Sequence, residues 1–153
     1  MNLYLVQHGE AKSKTEDPTR PLSDRGAELV RRIAVWSAHA QLSVDQIRHS
    51  GKKRAEQTAE LFAERLNPAD GVIAISGIAP TDDVQPIANA IDLEEQTIML
   101  VGHLPFLSRF ASHLVIGDPD SHLLRFRNAG IVCLSRDEGK WLISWIVVPQ
   151  LLG

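Results

Sequence analysis

The feature that most constrains the fold is an apolar run near the amino terminus, residues 3–6, which ends in Gln7-His8-Gly9. Consecutive apolar residues predict a strand buried on both faces, as in a parallel sheet covered by helices on both sides. A second apolar run, residues 97–101, ends in Gly102-His103. Two such strands need helices above and below one sheet, so the pattern favours an α/β protein.

The segments around these runs show the spacing of amphipathic helices and of further strands. Helical patterns follow Ser23, residues 51–53, Thr81 or Asp82, and Pro105, and Ser23 and either Thr81 or Asp82 are the expected N-caps. Shorter runs at 44–50 and 72–75 predict two more strands, and residues 131–134 and 141–148 predict a β-hairpin. We therefore predict a three-layer α/β/α sandwich with a mostly parallel central sheet and an antiparallel hairpin near the C-terminus.

Composition limits the classes of function. The chain has 153 residues, 44% of them hydrophobic and 23% charged, which predicts a single domain over residues 1–153. We find neither a membrane-length apolar run nor the layout of a signal peptide, so we expect a cytoplasmic protein with no membrane partner. A net charge of -3 argues against a nucleic-acid partner. The single Cys133 excludes an internal disulfide, and the histidines lack paired metal-ligand spacing, so no metal or cofactor is expected.

Three residues lie where an α/β sheet commonly binds ligands. Ligands bind beyond the carboxyl ends of the strands, which is where His8 and His103 fall, and Gly9 would let the backbone turn sharply and leave room for a ligand. Arg54 falls in the first turn of a predicted helix, where a cation opposes the helix dipole unless an anion joins it. The alternatives are a structural histidine bonded to a neighbouring carbonyl and a solvated surface arginine. These residues alone leave both alternatives open.

Four motifs in order resemble those of the histidine phosphatase superfamily, in particular its small SixA-type phosphohistidine phosphatases. They are Gln7-His8-Gly9, Pro21-Leu22-Ser23-Asp24-Arg25-Gly26, Ser50-Gly51-Lys52-Lys53-Arg54-Ala55-Glu56-Gln57-Thr58 and Gly102-His103-Leu104-Pro105. The resemblance implies that His8 carries the phosphate during turnover. It also implies that Arg54 and His103 line the phosphate pocket, with His8, Arg54 and His103 as the catalytic residues.

Position 7 departs from the family pattern. The family normally has an arginine there that grips the phosphate, whereas Gln7 can donate hydrogen bonds but has no charge. Exchanging a charged hydrogen bond for a neutral one costs about 1 kcal/mol, which would weaken a phosphatase without abolishing it. Arg20 is a candidate to restore the charge, and a solvated loop arginine is the alternative. The expected phosphate-binding residues are Gln7, Gly9, Arg20, Arg54 and His103.

These side chains suit phosphoryl transfer, which depends on in-line positioning and fixed positive charge. His8 would attack as the neutral imidazole, while Arg54 grips two phosphate oxygens and His103 donates to a third. Relatives that cleave phosphate esters carry a glutamate beyond the third strand, and residues 77–83 contain none. A departing imidazole, with a pKa of about 6.5, needs less help from an acid than an alkoxide does. The expected substrate is therefore phosphohistidine in another protein, and phosphate or another oxyanion is the expected ligand.

Two alternative functions stay open. One is a small-molecule phosphomonoesterase in which Asp82 or Asp83 acts as the acid. The other is a non-catalytic phosphate-binding module, which the neutral Gln7 favours. Turnover of simple phosphate esters at rates comparable to that of phosphohistidine would indicate the first, and phosphate binding without labelling of His8 would indicate the second.

Overall fold

Strands and helices alternate along the chain in the predicted order. The computed structural model describes residues 1–152. Its elements are β1 (Asn2–Gln7), α1 (Asp24–His39), β2 (Gln46–His49), α2 (Lys53–Leu66), β3 (Val72–Ala74), α3 (Gln85–Asp92), β4 (Ile98–Gly102), α4 (Phe106–Ile116), β5 (Ile131–Asp137) and β6 (Lys140–Val147), followed by a short 3₁₀ helix (Pro149–Leu151).

One six-stranded sheet, in the order β3-β2-β4-β1-β5-β6, forms the centre of the structure. The pairs β3/β2, β2/β4 and β4/β1 are parallel, whereas β1/β5 and β5/β6 are antiparallel. The prediction of a mostly parallel sheet with a C-terminal antiparallel hairpin is confirmed. The hairpin extends the sheet from β1, which therefore lies inside the sheet rather than at its edge.

Alternation along β1 divides the core into two layers. Leu3 and Leu5 pack with side chains of α3 and α4, whereas Tyr4 and Val6 pack with those of α1 and α2. Each strand residue points to the opposite face from its neighbour, so a strand that is apolar at consecutive positions must be covered on both sides. The three-layer α/β/α prediction is confirmed.

The helix after β1 leaves toward one face of the sheet, and the helix after the neighbouring β4 leaves toward the other. Apolar residues of α1 belong to the same core cluster as those of α2, and apolar residues of α4 pack on the opposite face. Such a divergence opens a crevice beyond the carboxyl ends of the two strands, which is where ligands bind in open α/β sheets. His8 and His103 immediately follow these two strands.

The start of α1 agrees with the sequence. The hydroxyl of Ser23 accepts a hydrogen bond from the Gly26 N–H at 3.0 Å, so Ser23 is the N-cap as predicted. A Cβ at Gly26 would lie 2.0 Å from the carbonyl oxygen of Glu10. Only glycine lets the loop and the helix approach so closely at this position.

The predicted cap of α3 is wrong. The helix begins at Gln85, and neither Thr81 nor Asp82 caps it. The Asp82 carboxylate accepts a hydrogen bond from the Ala79 N–H at 2.8 Å, and that of Asp83 accepts one from the Gln85 N–H at 3.0 Å. Each aspartate bonds a nearby backbone donor, so the turn before the helix is longer than its sequence indicates.

The helices are short. The longest, α1, has 16 residues, and within residues 1–152 we find no helix with the length and apolar character needed to cross a membrane. Cys133 lies in β5 and is buried in the core as a free thiol.

Candidate active site

The register of two parallel strands brings the two predicted histidines together. Gln7 of β1 lies beside Gly102 of β4, and the His8 N–H donates to the Gly102 carbonyl at 3.1 Å. His8 and His103 are therefore the first residues beyond two adjacent strands. Their ring centroids are 5.0 Å apart, so both imidazoles lie in the same crevice.

Hydrogen bonding and burial prepare His8 as a nucleophile. Its Nδ1 lies 2.7 Å from the Gly9 carbonyl oxygen, so Nδ1 carries the proton and donates it, and Nε2 keeps a free lone pair. Burial lowers the pKa of His8 to about 4, and the positive charges of Arg54 and Arg20 act in the same direction. The ring is therefore neutral at neutral pH, which is the form that can attack phosphorus.

His103 is held by a serine of the third motif. Its Nε2 lies 2.6 Å from the Ser50 hydroxyl oxygen, which itself accepts a hydrogen bond from the Lys52 N–H at 3.3 Å. We therefore assign the hydroxyl as the donor to Nε2, which places the ring proton on Nδ1. Burial lowers the pKa of His103 to about 3, with the nearby His8 and Arg54 as further causes, so this ring is also neutral.

Two buried N–H donors at this site have no acceptor. Within residues 1–152, the buried side-chain nitrogens and oxygens without a hydrogen-bond partner are Arg54 Nε, His103 Nδ1 and Ser121 Oγ. Buried polar groups are almost always paired, and each unpaired group costs about 1–3 kcal/mol. An anion between Arg54 and His103 would satisfy both donors.

Arg54 lies in the first turn of α2, as predicted, and its backbone is anchored. Its carbonyl accepts a hydrogen bond from the Thr58 hydroxyl at 2.8 Å, and the same hydroxyl oxygen accepts one from the Gly9 N–H at 3.0 Å. Burial lowers the pKa of the Arg54 guanidinium, and the charge of Arg20 adds to this. Thr58 therefore connects the loop after His8 with the turn that carries Arg54.

Arg20 reaches the neighbourhood of the site. It has a left-handed backbone with φ of 49°, an uncommon conformation for a residue with a side chain. Its Nε donates to the Lys12 carbonyl at 3.0 Å, which orients the guanidinium. Arg20 and Arg54 line one cavity, and the charge of Arg20 helps to lower the pKa of His8.

Close packing requires glycine at position 9, rather than the sharp turn or the space for a ligand that we expected. A Cβ there would lie 2.7 Å from Cγ2 of Val30 and 3.1 Å from Cδ2 of Leu22, so packing against α1 fills the space expected for a ligand. Its backbone does not require the left-handed region that only glycine adopts freely. Because its N–H is bonded to Thr58, a contact from Gly9 to phosphate stays a prediction without support from this geometry.

Gln7 ends β1 and is half-buried. Its carbonyl accepts a hydrogen bond from the Ala129 N–H at 2.8 Å. Alternation along the strand places Gln7 on the face of Leu3 and Leu5, opposite to that of His8. A contact between Gln7 and phosphate therefore stays a prediction.

Sequence reasoning missed three residues that support the site. Ser50 and Thr58 both belong to the third motif, and their hydroxyls, which can bond a ring nitrogen or a backbone group, are the signal that could have found them. Asn128 donates from Nδ2 to the His8 carbonyl at 3.0 Å, although 120 positions separate them in the chain. No local pattern marks Asn128, because only tertiary folding brings the loop before β5 to the end of β1.

No metal centre is formed by the part of the chain that the structure describes. Residues 1–152 contain no group of three or more His, Cys, Asp or Glu side chains placed to hold a metal ion. The buried His49 is engaged elsewhere, since its Nδ1 accepts a hydrogen bond from the Gly51 N–H at 3.0 Å.

Comparisons with known proteins point to one family. The model of the histidine phosphatase superfamily (branch 1) matches residues 3–75. The chain is 23% identical over 155 residues to the phosphohistidine phosphatase SixA of Escherichia coli (strain K12), a match that covers 97% of this chain and 94% of that protein. It is 31% identical over 142 residues to an uncharacterised protein of Picosynechococcus sp., covering 88% of this chain and 84% of the relative.

The fold is also that of a solved relative. The structure of the protein histidine phosphatase SixA complexed with tungstate matches with a TM-score of 0.88 and 24% identity, over 100% of both chains. That protein is complexed with tungstate, which is a tetrahedral oxyanion.

Proposed function

Because the chain belongs to the histidine phosphatase superfamily and is a phosphatase, we propose that its substrate is phosphohistidine in another protein. The reaction passes through a covalent phosphohistidine intermediate on His8. One observation carries this proposal: a neutral imidazole with a free Nε2 lies beside two buried N–H donors, from Arg54 and His103, that have no other acceptor. A nucleophile beside orphaned donors is what transfer of an anionic group requires.

In the first step, Nε2 of His8 attacks phosphorus. The bond from Nε2 to phosphorus forms as the bond from phosphorus to the substrate imidazole breaks, and the departing ring takes a proton from solvent. Arg54 and Arg20 offset the charge spread over the equatorial oxygens, while His103 Nδ1–H donates to one of them. In the second step the oxygen of a water molecule bonds to phosphorus as the bond from Nε2 to phosphorus breaks. The water gives a proton to solvent, which balances the proton taken in the first step, phosphate leaves and Nε2 regains its lone pair.

The acidic residues near the third strand support a substrate whose leaving group needs little protonation. An ester substrate requires an acid for the departing alkoxide, but the carboxylates of Asp82 and Asp83 each accept a backbone hydrogen bond in the turn before α3. Imidazole leaves more readily because its pKa is about 6.5. The name of the relative in Escherichia coli, a phosphohistidine phosphatase, is consistent with this choice.

The test compares substrates with different leaving groups. A protein carrying ³²P-phosphohistidine, a phosphoserine peptide and p-nitrophenyl phosphate are offered to the native protein, and acid-labile label on His8 is trapped by rapid quenching. We expect the phosphohistidine protein to react faster than the phosphoserine peptide by about 10²–10⁴-fold, the usual contribution of general acid catalysis. The label should be absent in His8→Ala and present in His49→Ala, which removes a buried histidine outside the site.

Each alternative function has its own outcome. Comparable rates on the phosphoserine peptide and on phosphohistidine would replace the proposal with a general phosphomonoesterase. Phosphate binding without turnover of any substrate and without label on His8 would replace it with a non-catalytic phosphate-binding module.

A further inference from the structure

A cavity beside the candidate active site concentrates positive charge. It measures about 350 Å³, and we refer to it as the basic cavity. Its lining residues are Lys14, Pro18, Thr19, Arg20, Lys52, Lys53 and Arg54. Five of these seven are cationic and none is acidic, although the whole chain has a net charge of -3. The positive potential is therefore local to this side of the site.

Most of these cations have no counter-charge. In the described part of the chain, Lys53 is the one member of the basic cavity with an ion pair, to Glu56 at 3.8 Å, and both side chains are exposed enough to make that pair weak. The three cations Lys52, Lys53 and Arg54 also surround the positive end of the α2 dipole, and Lys52 provides no side-chain cap. This arrangement is unfavourable without an anion, and Arg54 Nε is buried with no acceptor.

The basic cavity is larger than the transferred group. At about 30 Å³ per water molecule, 350 Å³ corresponds to roughly twelve waters, whereas a phosphoryl group has four heavy atoms. Arg20 and Arg54 are partly buried, whereas Lys14 and Lys53 of the same cavity are exposed. These two lysines therefore lie toward the solvent side of the cavity, in reach of a second anionic group.

The lining also indicates the chemistry of that second group. The basic cavity contains no aromatic side chain on which a nucleobase could stack, and Pro18 and Thr19 are its only uncharged members. Lysine is a flexible point charge that binds carboxylates and phosphates alike. In a protein substrate, the side chains that are anionic without modification are those of aspartate and glutamate, so carboxylates are the groups that the lysines would meet.

We propose that the basic cavity binds aspartate or glutamate side chains that flank the phosphohistidine of the substrate protein. The proposal rests on the proposed function and adds a class of substrate to it: a phosphohistidine within an acidic segment. The phosphoryl group would lie between His8, Arg54 and His103, next to the basic cavity that Arg54 also lines, and the flanking carboxylates would lie at Lys14 and Lys53. Charge recognition of this kind also raises the rate of encounter with the partner.

The experiment uses two ten-residue phosphohistidine peptides, one flanked by glutamates and one by glutamines, with phosphoramidate as a substrate that has no flanks. For the native protein we expect kcat/KM on the acidic peptide to exceed that on the neutral peptide by about tenfold at 50 mM salt, and the ratio to fall as salt rises. In Lys14→Gln/Lys53→Gln the ratio should approach one while phosphoramidate hydrolysis is unchanged. Arg65→Gln/Lys140→Gln removes the same charge from exposed distant positions and should keep the native ratio.

The other possible outcomes contradict either the acidic-segment proposal or the proposed function. Equal kcat/KM on both peptides in the native protein, or an equal loss in the control variant, overturns the acidic-segment proposal while leaving phosphohistidine hydrolysis intact. No peptide preference together with inhibition by pyrophosphate that depends on Lys14 and Lys53 assigns the basic cavity to a small dianion, and this also overturns it. Failure to hydrolyse phosphoramidate and both peptides contradicts the proposed function itself.

Discussion

At the scale of single residues, the hydrogen bond between Ser50 and His103 determines which ring nitrogen of His103 faces the anion. Replacing Ser50 by alanine removes the donor to Nε2, so the proton can move from Nδ1 to Nε2 and the donor toward phosphate is lost. We expect kcat on phosphoramidate to fall by roughly 10- to 100-fold, as when other orienting partners of functional histidines are removed. Ser50 is thus a positioning residue.

A second variant distinguishes an orienting role of Ser50 from a purely structural one. Ser50→Thr keeps a hydroxyl at the same position and should retain most of the activity. Ser50→Ala leaves the buried His103 Nε2 unpaired and should lower the free energy of unfolding by about 1–3 kcal/mol, which is too little to unfold a typical domain. If Ser50→Ala loses activity in proportion to stability, or if Ser50→Thr is as inactive as Ser50→Ala, then Ser50 does not orient His103.

Substitutions of Gln7 and Arg20 test which side chains supply the positive charge of the site. If both line the phosphate pocket, Gln7→Arg should lower the inhibition constant of phosphate and Arg20→Ala should raise it, since Arg20 then supplies part of the charge that Gln7 lacks. Loss of Arg20 should also cost less when position 7 is arginine, and a double-mutant cycle measures this coupling directly. If neither substitution changes the inhibition constant, both residues lie outside the pocket. If loss of Arg20 costs more when position 7 is arginine, or improves binding, the coupling is not the one expected; an improvement would mean that the two guanidiniums repel each other.

At the scale of elements, the contact between α1 and the loop after β1 depends on Gly26. Alanine there would place a methyl group 2.0 Å from the Glu10 carbonyl oxygen, so the helix or the loop must move. We expect Gly26→Ala to lower the free energy of unfolding by about 2–3 kcal/mol, within the range of overpacking effects. Denaturant unfolding measures this loss.

The matched variant is Ser23→Ala on the same helix. Loss of the N-cap hydrogen bond to Gly26 should cost about 1 kcal/mol, which is less than the clash at Gly26. Gly26→Ala should also reduce activity, since the displaced loop connects to His8 through Gly9. Equal stability of Gly26→Ala and the native protein would show that the loop relaxes freely.

At the scale of the whole molecule, the two buried histidines link stability and activity to pH. Burial lowers the pKa of His8 to about 4 and that of His103 to about 3, whereas both titrate near 6.5 when unfolded. Between these values the unfolded chain binds more protons than the folded one, so the free energy of unfolding should decrease as pH falls from about 6.5 toward 4. Titration of the two ring resonances by NMR, with urea unfolding at each pH, measures this.

Activity should follow the same titration. Because His8 remains neutral down to about pH 4, kcat/KM for phosphoramidate should show no loss from protonation of the nucleophile between pH 7 and 5. A histidine resonance assigned to His8 that titrates near 6.5, together with an acid limb of kcat/KM at the same pH, would contradict the burial of this ring.

Much of the architecture was predictable because the signals are local. Consecutive apolar residues mark β1 and β4, the Ser23 hydroxyl marks the start of α1, and the alternation of strand and helix patterns leads to parallel pairing. The positions of His8, Arg54 and His103 at the ends of these elements follow directly, because the carboxyl ends of neighbouring parallel strands meet at one edge of the sheet. The cap of α3 was missed because the Asp82 carboxylate bonds the Ala79 N–H rather than a helix N–H, and the helix begins only at Gln85.

The sequence by itself determined which elements form and which side chains lie at their ends, since hydrophobic period and capping act within a few residues. Only the tertiary structure decided the register that places His8 and His103 5.0 Å apart, the bond from Asn128 to the His8 carbonyl, and the packing of Val30 into the space beside Gly9. These contacts join segments far apart in the chain, and side-chain packing in three dimensions, not local propensity, selects among them.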